Sequence, residues 1–363
     1  MLDDIREQPA ILEAALREEI ATFRALCSRF EKERPRFVVL AARGTSDHAA
    51  QFGRYLIEIA TGIPVSLAAP SVLTVYRADL DLREVLYVGM SPSGESADVN
   101  TCMRRARELG AMTLGVTNNP AGTLARTAEK NVLLHAGPGD GAGKLNTWIA
   151  QLLSMYLLAW SLGADLTLEQ IRRIPDWLAA ALAIEPDLIE RAQRYVFAER
   201  ALVIGRGFNY SNALQFALDL IETCCIGAES SSAGDFLHGP VSATRCGVPA
   251  FAFAPPGPTW PSMAETLSLL ESSGTMALVI TDERNLEASG YPGAIVVPPP
   301  DGYESTLPVD ALTPIPYAIP AQLLAAHVSN EKAGKPERPP TDAGTLPAMA
   351  GRENADPGAK EKK

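Results

Sequence analysis

Basic residues are the minority in this 363-residue chain: 32 Lys and Arg stand against 43 Asp and Glu, a formal net charge of −11. A surface of that sign repels a polyphosphate backbone, so nucleic acid is not an expected partner. Cysteine is scarce as well. Five thiols, two of them adjacent at Cys224 and Cys225, give neither a disulfide framework nor a Cys-x-x-Cys zinc pattern. No metal and no cofactor is expected, and a reducing cytoplasm is the expected location. The opening residues, Met1-Leu-Asp-Asp-Ile-Arg-Glu-Gln8, lack the basic start and the apolar stretch of a secretory leader. One uncharged stretch, Leu145 to Ala164, is long enough to cross a bilayer as a helix, yet it carries Asn146, Thr147, Gln151, Ser154 and Ser161. It reads as a buried helix of a soluble protein, and no membrane partner is expected.

What is present is an ordinary globular balance, 47% apolar and 21% charged residues, in a chain long enough for two or three domains. Short apolar runs bounded by turn residues occur at Phe37–Ala42, Pro64–Ala69, Val85–Met90, Met112–Thr117 and Asn131–Ala136. They read as buried parallel strands, with helical patterns such as Ala49–Ala60 and Ala97–Leu109 between them. A second set follows at Ala201–Arg206, Gly227–Ser230, Pro249–Ala254, Met276–Thr281 and Ala294–Val297, each starting 163 or 164 residues after its counterpart. A constant offset over five elements marks an internal repeat. The expected architecture is therefore α/β: two tandem doubly wound parallel sheets of about five strands, flanked by helices.

In domains, this gives a leading helical segment at 1–34, a first α/β domain at 35–163, a helical connector at 164–200 with Pro175 and Pro186 as breaks, and a second domain at 201–330. The segment 331–363 holds five prolines, four glycines and thirteen formal charges, and reads as largely without stable structure.

Ligands of open parallel sheets sit beyond the carboxyl ends of the strands. Two loops there carry hydroxyl groups next to a helix start: Arg43-Gly-Thr-Ser-Asp-His48, with Thr45 and Ser46, and Ser91-Pro-Ser-Gly-Glu-Ser96, with Ser91, Ser93, Gly94 and Ser96. Serine hydroxyls, a glycine permitting close backbone approach and the unpaired N–H groups of a helix start suit an anion, though a serine before a helix also serves as a simple cap. The loop Gly137–Lys144 lacks the first glycine and the closing Ser or Thr of a P-loop, which argues against ATP. Candidate acid/base groups in the second half are Glu222, in an apolar helical pattern, and His238, in Asp235-Phe-Leu-His-Gly-Pro240. Taken alone, a glutamate on a helix is more often solvated and a lone histidine more often structural than catalytic.

Together these residues resemble the SIS (sugar isomerase) family, in particular the isomerase half of glucosamine-6-phosphate synthase and its stand-alone relatives, the amino-sugar-phosphate deaminases and isomerases. The Arg-Gly-Thr-Ser loop, the Ser-x-Ser-Gly-Glu-Ser loop, Thr117-Asn-Asn-Pro120 and Phe236-Leu-His-Gly-Pro240 carry the likeness, over roughly residues 10 to 330. The resemblance implies that Thr45, Ser46, Ser91, Ser93, Gly94, Ser96, Ala142 and Lys144 line a sugar-phosphate site. It implies that Glu222 moves a proton between C1 and C2, and that His238, donated by the second subunit of a homodimer, opens the ring. No glutaminase domain is expected ahead of Met1. Three differences from the family stand out. Pro92 replaces a glutamine, Asp219 stands where synthases carry a lysine, and no Ser-Lys-Val motif occurs near Thr345. The implied activity is aldose–ketose isomerisation of a sugar phosphate, with deamination of a hexosamine 6-phosphate and non-catalytic sugar-phosphate sensing as alternatives.

Overall fold

A computed structural model describes residues 1–137, 144–239, 247–301 and 306–333, residue 144 by its backbone alone. The first lobe begins with α1 (Leu2–Lys32) and continues β1 (Phe37–Ala41), α2 (Thr45–Thr61), β2 (Val65–Leu67), α3 (Pro70–Thr74), β3 (Val85–Met90), α4 (Ala97–Glu108), β4 (Met112–Thr117), α5 (Thr123–Thr127), β5 (Lys130–Leu133) and α6 (Lys144–Ser161). The chain then passes through α7 (Leu168–Arg172), α8 (Ile174–Leu182) and α9 (Glu185–Ala192). The second lobe runs β6 (Arg200–Gly205), α10 (Tyr210–Cys224), β7 (Gly227–Ser232), α11 (Ala233–His238), β8 (Ala250–Phe253), α12 (Trp260–Ser272), β9 (Ala277–Asp282), α13 (Leu286–Ser289), β10 (Ile295–Val297) and α14 (Pro314–Ala333).

Each lobe holds one five-stranded parallel sheet, ordered β2-β1-β3-β4-β5 and β7-β6-β8-β9-β10, so the repeated doubly wound architecture read from the sequence is the one observed. Strands β3, β8 and β9 are buried along their whole length, which is why they show as unbroken apolar runs instead of alternating ones. The strand order turns back between β1 and β3, and again between β6 and β8. At such a point successive connections leave toward opposite faces and open a crevice beyond the strand ends.

Helix α6 is the expected buried helix, with Trp148, Ile149, Leu152, Leu153, Tyr156 and Leu158 all essentially inaccessible. Two of its hydroxyls are satisfied locally: Ser154 and Ser161 donate to the carbonyls of Ala150 and Leu158, both at 2.8 Å. Among the described residues no helix is long and apolar enough to cross a membrane. Pro175 and Pro186 fall in the first turns of α8 and α9, where the missing N–H has no intrahelical partner to lose. Helix α14 has no counterpart in the sequence reading, because Pro314, Pro316 and Pro320 argue against a helix. Burial on all sides holds it, from Pro314 through Ala326. It also carries regular structure to Ala333, three residues into the stretch read as unstructured, and 334–363 lie outside the described residues.

One apolar core runs through both lobes, joining Leu40, Phe52 and Tyr156 to Phe216, Phe251 and Tyr317. Its centre is the crossing of α2 and α10. Phe52 and Tyr55 on α2 meet Phe208, just before α10, at ring centroid distances of 6.4 and 6.5 Å, while His48 reaches Gln215. The later residues of one helix thus face the earlier residues of the other, so the two run antiparallel.

Candidate functional site

Strands β1 and β3 pair in register, Ala41 opposite Gly89, so the loops that follow them emerge side by side at the crevice of the first lobe. The first loop turns at Gly44, whose φ of +58° is a left-handed value open to glycine. Ser46 is then buried and accepts a hydrogen bond from Gln151 Nε2 of α6 at 2.9 Å, while Thr45 stays partly accessible. Arg43 leans across to the first turn of α4, where its Nη2 lies 2.7 Å from Asp98 Oδ2.

The second loop is held by its own backbone. The carbonyl of Pro92 accepts from the Asn118 amide at 2.9 Å and from Thr117 Oγ1 at 3.2 Å, so the residue that replaces a glutamine still anchors the loop. Gly94 adopts φ +70°, and a Cβ there would lie 3.1 Å from Thr117 Oγ1 and 3.2 Å from the Gly122 Cα. Asn100 donates to the Gly94 carbonyl and Asn119 to the Ser93 carbonyl. Ser91 is buried with its Oγ 3.4 Å from Ser93 Oγ, and Ser93 is exposed. Neither Gly44 nor Ser96 caps its helix through a side chain. The amino ends of α2 and α4 therefore present unpaired N–H groups and a partial positive charge at the same crevice, the arrangement that binds an anion.

Glu222, from the other lobe, lies in the last turn of α10, about two turns past Gln215, which meets His48 in the first turn of α2. Its charge acts on His48, whose pKa burial pushes down, with the Gln215 hydrogen bond, Asp47 and Glu222 working in the opposite direction. His48 Nδ1 is 2.9 Å from Gln215 Oε1, and Gln215 Nε2 donates to Asp219 Oδ1 at 2.8 Å. Asp219, at the position where a lysine was expected from the resemblance, is thus drawn into a buried polar chain behind Glu222. The sequence reading passed over His48 and Gln215 as parts of the site. The signal was available, since His48 closes the Arg43–His48 loop.

His238 is exposed at the end of α11, which follows the carboxyl end of β7, whereas Glu222 precedes the amino end of that strand. At about 3.3 Å per residue the six residues of β7 between them span roughly 17 Å. Lys144 opens α6, its side chain outside the description, and Ala142 lies outside the described residues.

A SIS domain model matches residues 33–161 and 195–328. The glutamine–fructose-6-phosphate aminotransferase (isomerizing) of Methanothermobacter thermautotrophicus is 32% identical over 343 residues, covering 93% of this chain and 56% of the relative. The protein of that name from Pyrococcus horikoshii is 30% identical over 348 residues, with the same coverages. The chain thus spans a little over half the length of these curated relatives. Among solved structures, the C-terminal domain of glucosamine-fructose-6-phosphate aminotransferase from Francisella tularensis superimposes with a TM-score of 0.79 at 25% identity, covering 92% of this chain and 96% of that one. The tagatose-6-phosphate ketose/aldose isomerase of Escherichia coli shares the fold, with a TM-score of 0.74 at 21% identity over 91% of this chain and 92% of that one.

Proposed function

The chain belongs to the SIS domain family, and from that footing we propose that it is a sugar-phosphate aldose–ketose isomerase. One observation carries the reading: two hydroxyl-bearing helix-start loops emerge side by side after β1 and β3, and the charge of Glu222, from the opposite lobe, acts on His48 in the first of them. The phosphate is held by Ser91, Ser93, Ser96 and Thr45 with the amides at Gly94, and Ser46 shapes the floor through Gln151. Once the ring is open, Glu222 removes the proton from C2 of the aldose and returns it to C1. The O2 proton passes to O1, so the product is the ketose and no atom is lost. Lys144, at the start of α6, supplies positive charge for the enediolate.

Ring opening needs an acid near the ring oxygen, and His238 is that acid. The span of β7 between the two groups supports a homodimer in which each subunit lends His238 to the other's crevice. In this reading residues 35–163 and 201–330 are the two SIS domains, 164–200 connects them, and the partners are a sugar phosphate and a second copy of the chain. Free Cys27, Cys102, Cys224 and Cys225 suit a reducing cytoplasm. Asp219, in place of a lysine, supports isomerisation over amination.

The test is incubation of the purified protein with fructose 6-phosphate and glucosamine 6-phosphate in deuterated water. Deuterium entering at C2 without ammonia release is expected. Ammonia release would select a deaminase, and binding without either would select a sensor.

A further inference from the structure

Duplication gives the molecule a second crevice, between β6 and β8, and a cavity of about 400 Å³ opens there, within the size range of small-ligand sites. It repeats the first crevice position by position. Arg206 stands 163 residues after Arg43, and Thr259, which precedes α12, stands 163 after Ser96. On the wall contributed by the opposite lobe, Ile59 of α2 occupies the place that Glu222 of α10 takes at the first crevice, again 163 residues apart. Among the residues of that helix that line the cavity none is a carboxylate, so this crevice has no equivalent of the proposed proton shuttle.

Its polar groups are nevertheless set for a ligand. Asp310 lines the cavity with a side chain 1% exposed. Its Oδ2 accepts from Thr259 Oγ1 at 3.3 Å, while Oδ1 has no hydrogen-bond partner among the described residues. A buried carboxylate oxygen left without a donor costs about 1–3 kcal/mol. Burial pushes the Asp310 pKa up to about 6, although a backbone hydrogen bond, Thr259 and the charge of Arg284 offset part of it. Arg206 is exposed at the cavity wall, and its Nη1 lies 2.7 Å from where a Cβ at Gly234 would be, so glycine lets the guanidinium rest across the opening. Tyr55 and Phe208 add a flat apolar face.

We infer that the crevice between β6 and β8 is a second, non-catalytic binding site for a small phosphorylated polyol or amino-polyol. The anionic group pairs with Arg206 and a hydroxyl or ammonium group donates to Asp310 Oδ1. This site is independent of the isomerase reading, because it shares no residue with the first crevice and is read out by binding alone.

The test is calorimetric titration of the full chain with glucosamine 6-phosphate, fructose 6-phosphate and 6-phosphogluconate, beside Arg206→Ala and Asp310→Asn. Arg206→Ala alters only an exposed side chain, so its folding is not at issue. Two ligands per chain are expected for at least one compound, with one event weakened about tenfold or more in each variant, as loss of a charged hydrogen bond gives. No binding of any of the three compounds up to millimolar concentration, or a single event per chain that neither variant weakens, overturns the inference. Two events that neither variant changes overturn it equally.

Discussion

The Ser211 hydroxyl donates to the carbonyl of His48 at 2.7 Å, and the two residues are 163 apart, the spacing of the internal repeat. Equivalent positions of the two halves therefore touch, which locates the local twofold axis at the crossing of α2 and α10. Everything proposed about the site follows from that crossing. The position that Glu222 holds on α10 is held on α2 by Ile59, which lines the second cavity.

Replacing Glu222 by Gln removes the base and preserves size. C2 deuterium incorporation is expected to fall by about 10²-fold or more, the scale of general base catalysis, with sugar-phosphate affinity retained. Nuclear magnetic resonance of the sugar and calorimetry read the two effects separately. Unchanged exchange would remove Glu222 from the chemistry.

Glu222→Gln and His238→Asn are each expected to be inactive alone and to complement when mixed and allowed to exchange subunits. One of the two crevices in a mixed dimer then holds both intact groups. With random exchange, activity recovers to about a quarter of the wild-type value under twofold symmetry. No recovery, with exchange verified by mass spectrometry, would mean that the two groups do not serve a shared site across subunits.

Gln215→Leu breaks the polar chain between His48 and Asp219 without changing the backbone. It takes one hydrogen bond each from half-buried His48 and buried Asp219, so stability is expected to drop by about 1–3 kcal/mol in denaturant unfolding. A change within error would show that water replaces the amide.

Burial lowers the pKa of His48 below its ordinary 6.5. The unfolded chain therefore takes up this proton first, and the contribution to stability is full above 6.5 and lost as pH falls below it. Unfolding midpoints measured from about pH 7.5 to about pH 5.5 should fall less in His48→Gln than in the wild type. Parallel curves would exclude His48 as a source of acid sensitivity.

Gly94→Ala forces a side chain into a left-handed backbone and against Thr117 and Gly122. A stability loss of about 1–2 kcal/mol is expected from the conformation alone, together with weaker phosphate binding. Thermal unfolding with and without sugar phosphate measures both.

Elements buried on every side were plain in the sequence. Val85–Met90 and Met112–Thr117 have the limits their apolar runs indicate, because a central parallel strand needs apolar residues at every position. The two loops were a weaker signal, since a serine before a helix also serves as a simple cap. Helix α14 was hidden because its support is tertiary: Tyr317 Oη donates to Asp282 Oδ2, and Asn212 Nδ2 donates to the Pro314 carbonyl, contacts between residues far apart in the chain. Asp310 was hidden for the same reason, since what it faces is decided by a distant turn, whereas His48 ended a loop already singled out.

The shared core also bears on how this chain can be handled. Phe52 packs on Tyr156 of its own lobe and on Phe208 of the other, and Tyr156 Oη donates to the Ala311 carbonyl. Cutting between the repeats would bare these aromatic faces on both fragments, so neither half is a minimal enzyme. Fusion partners and affinity tags belong at the two termini, and engineering by swapping one repeat for a homologue's would have to carry α2 and α10 together.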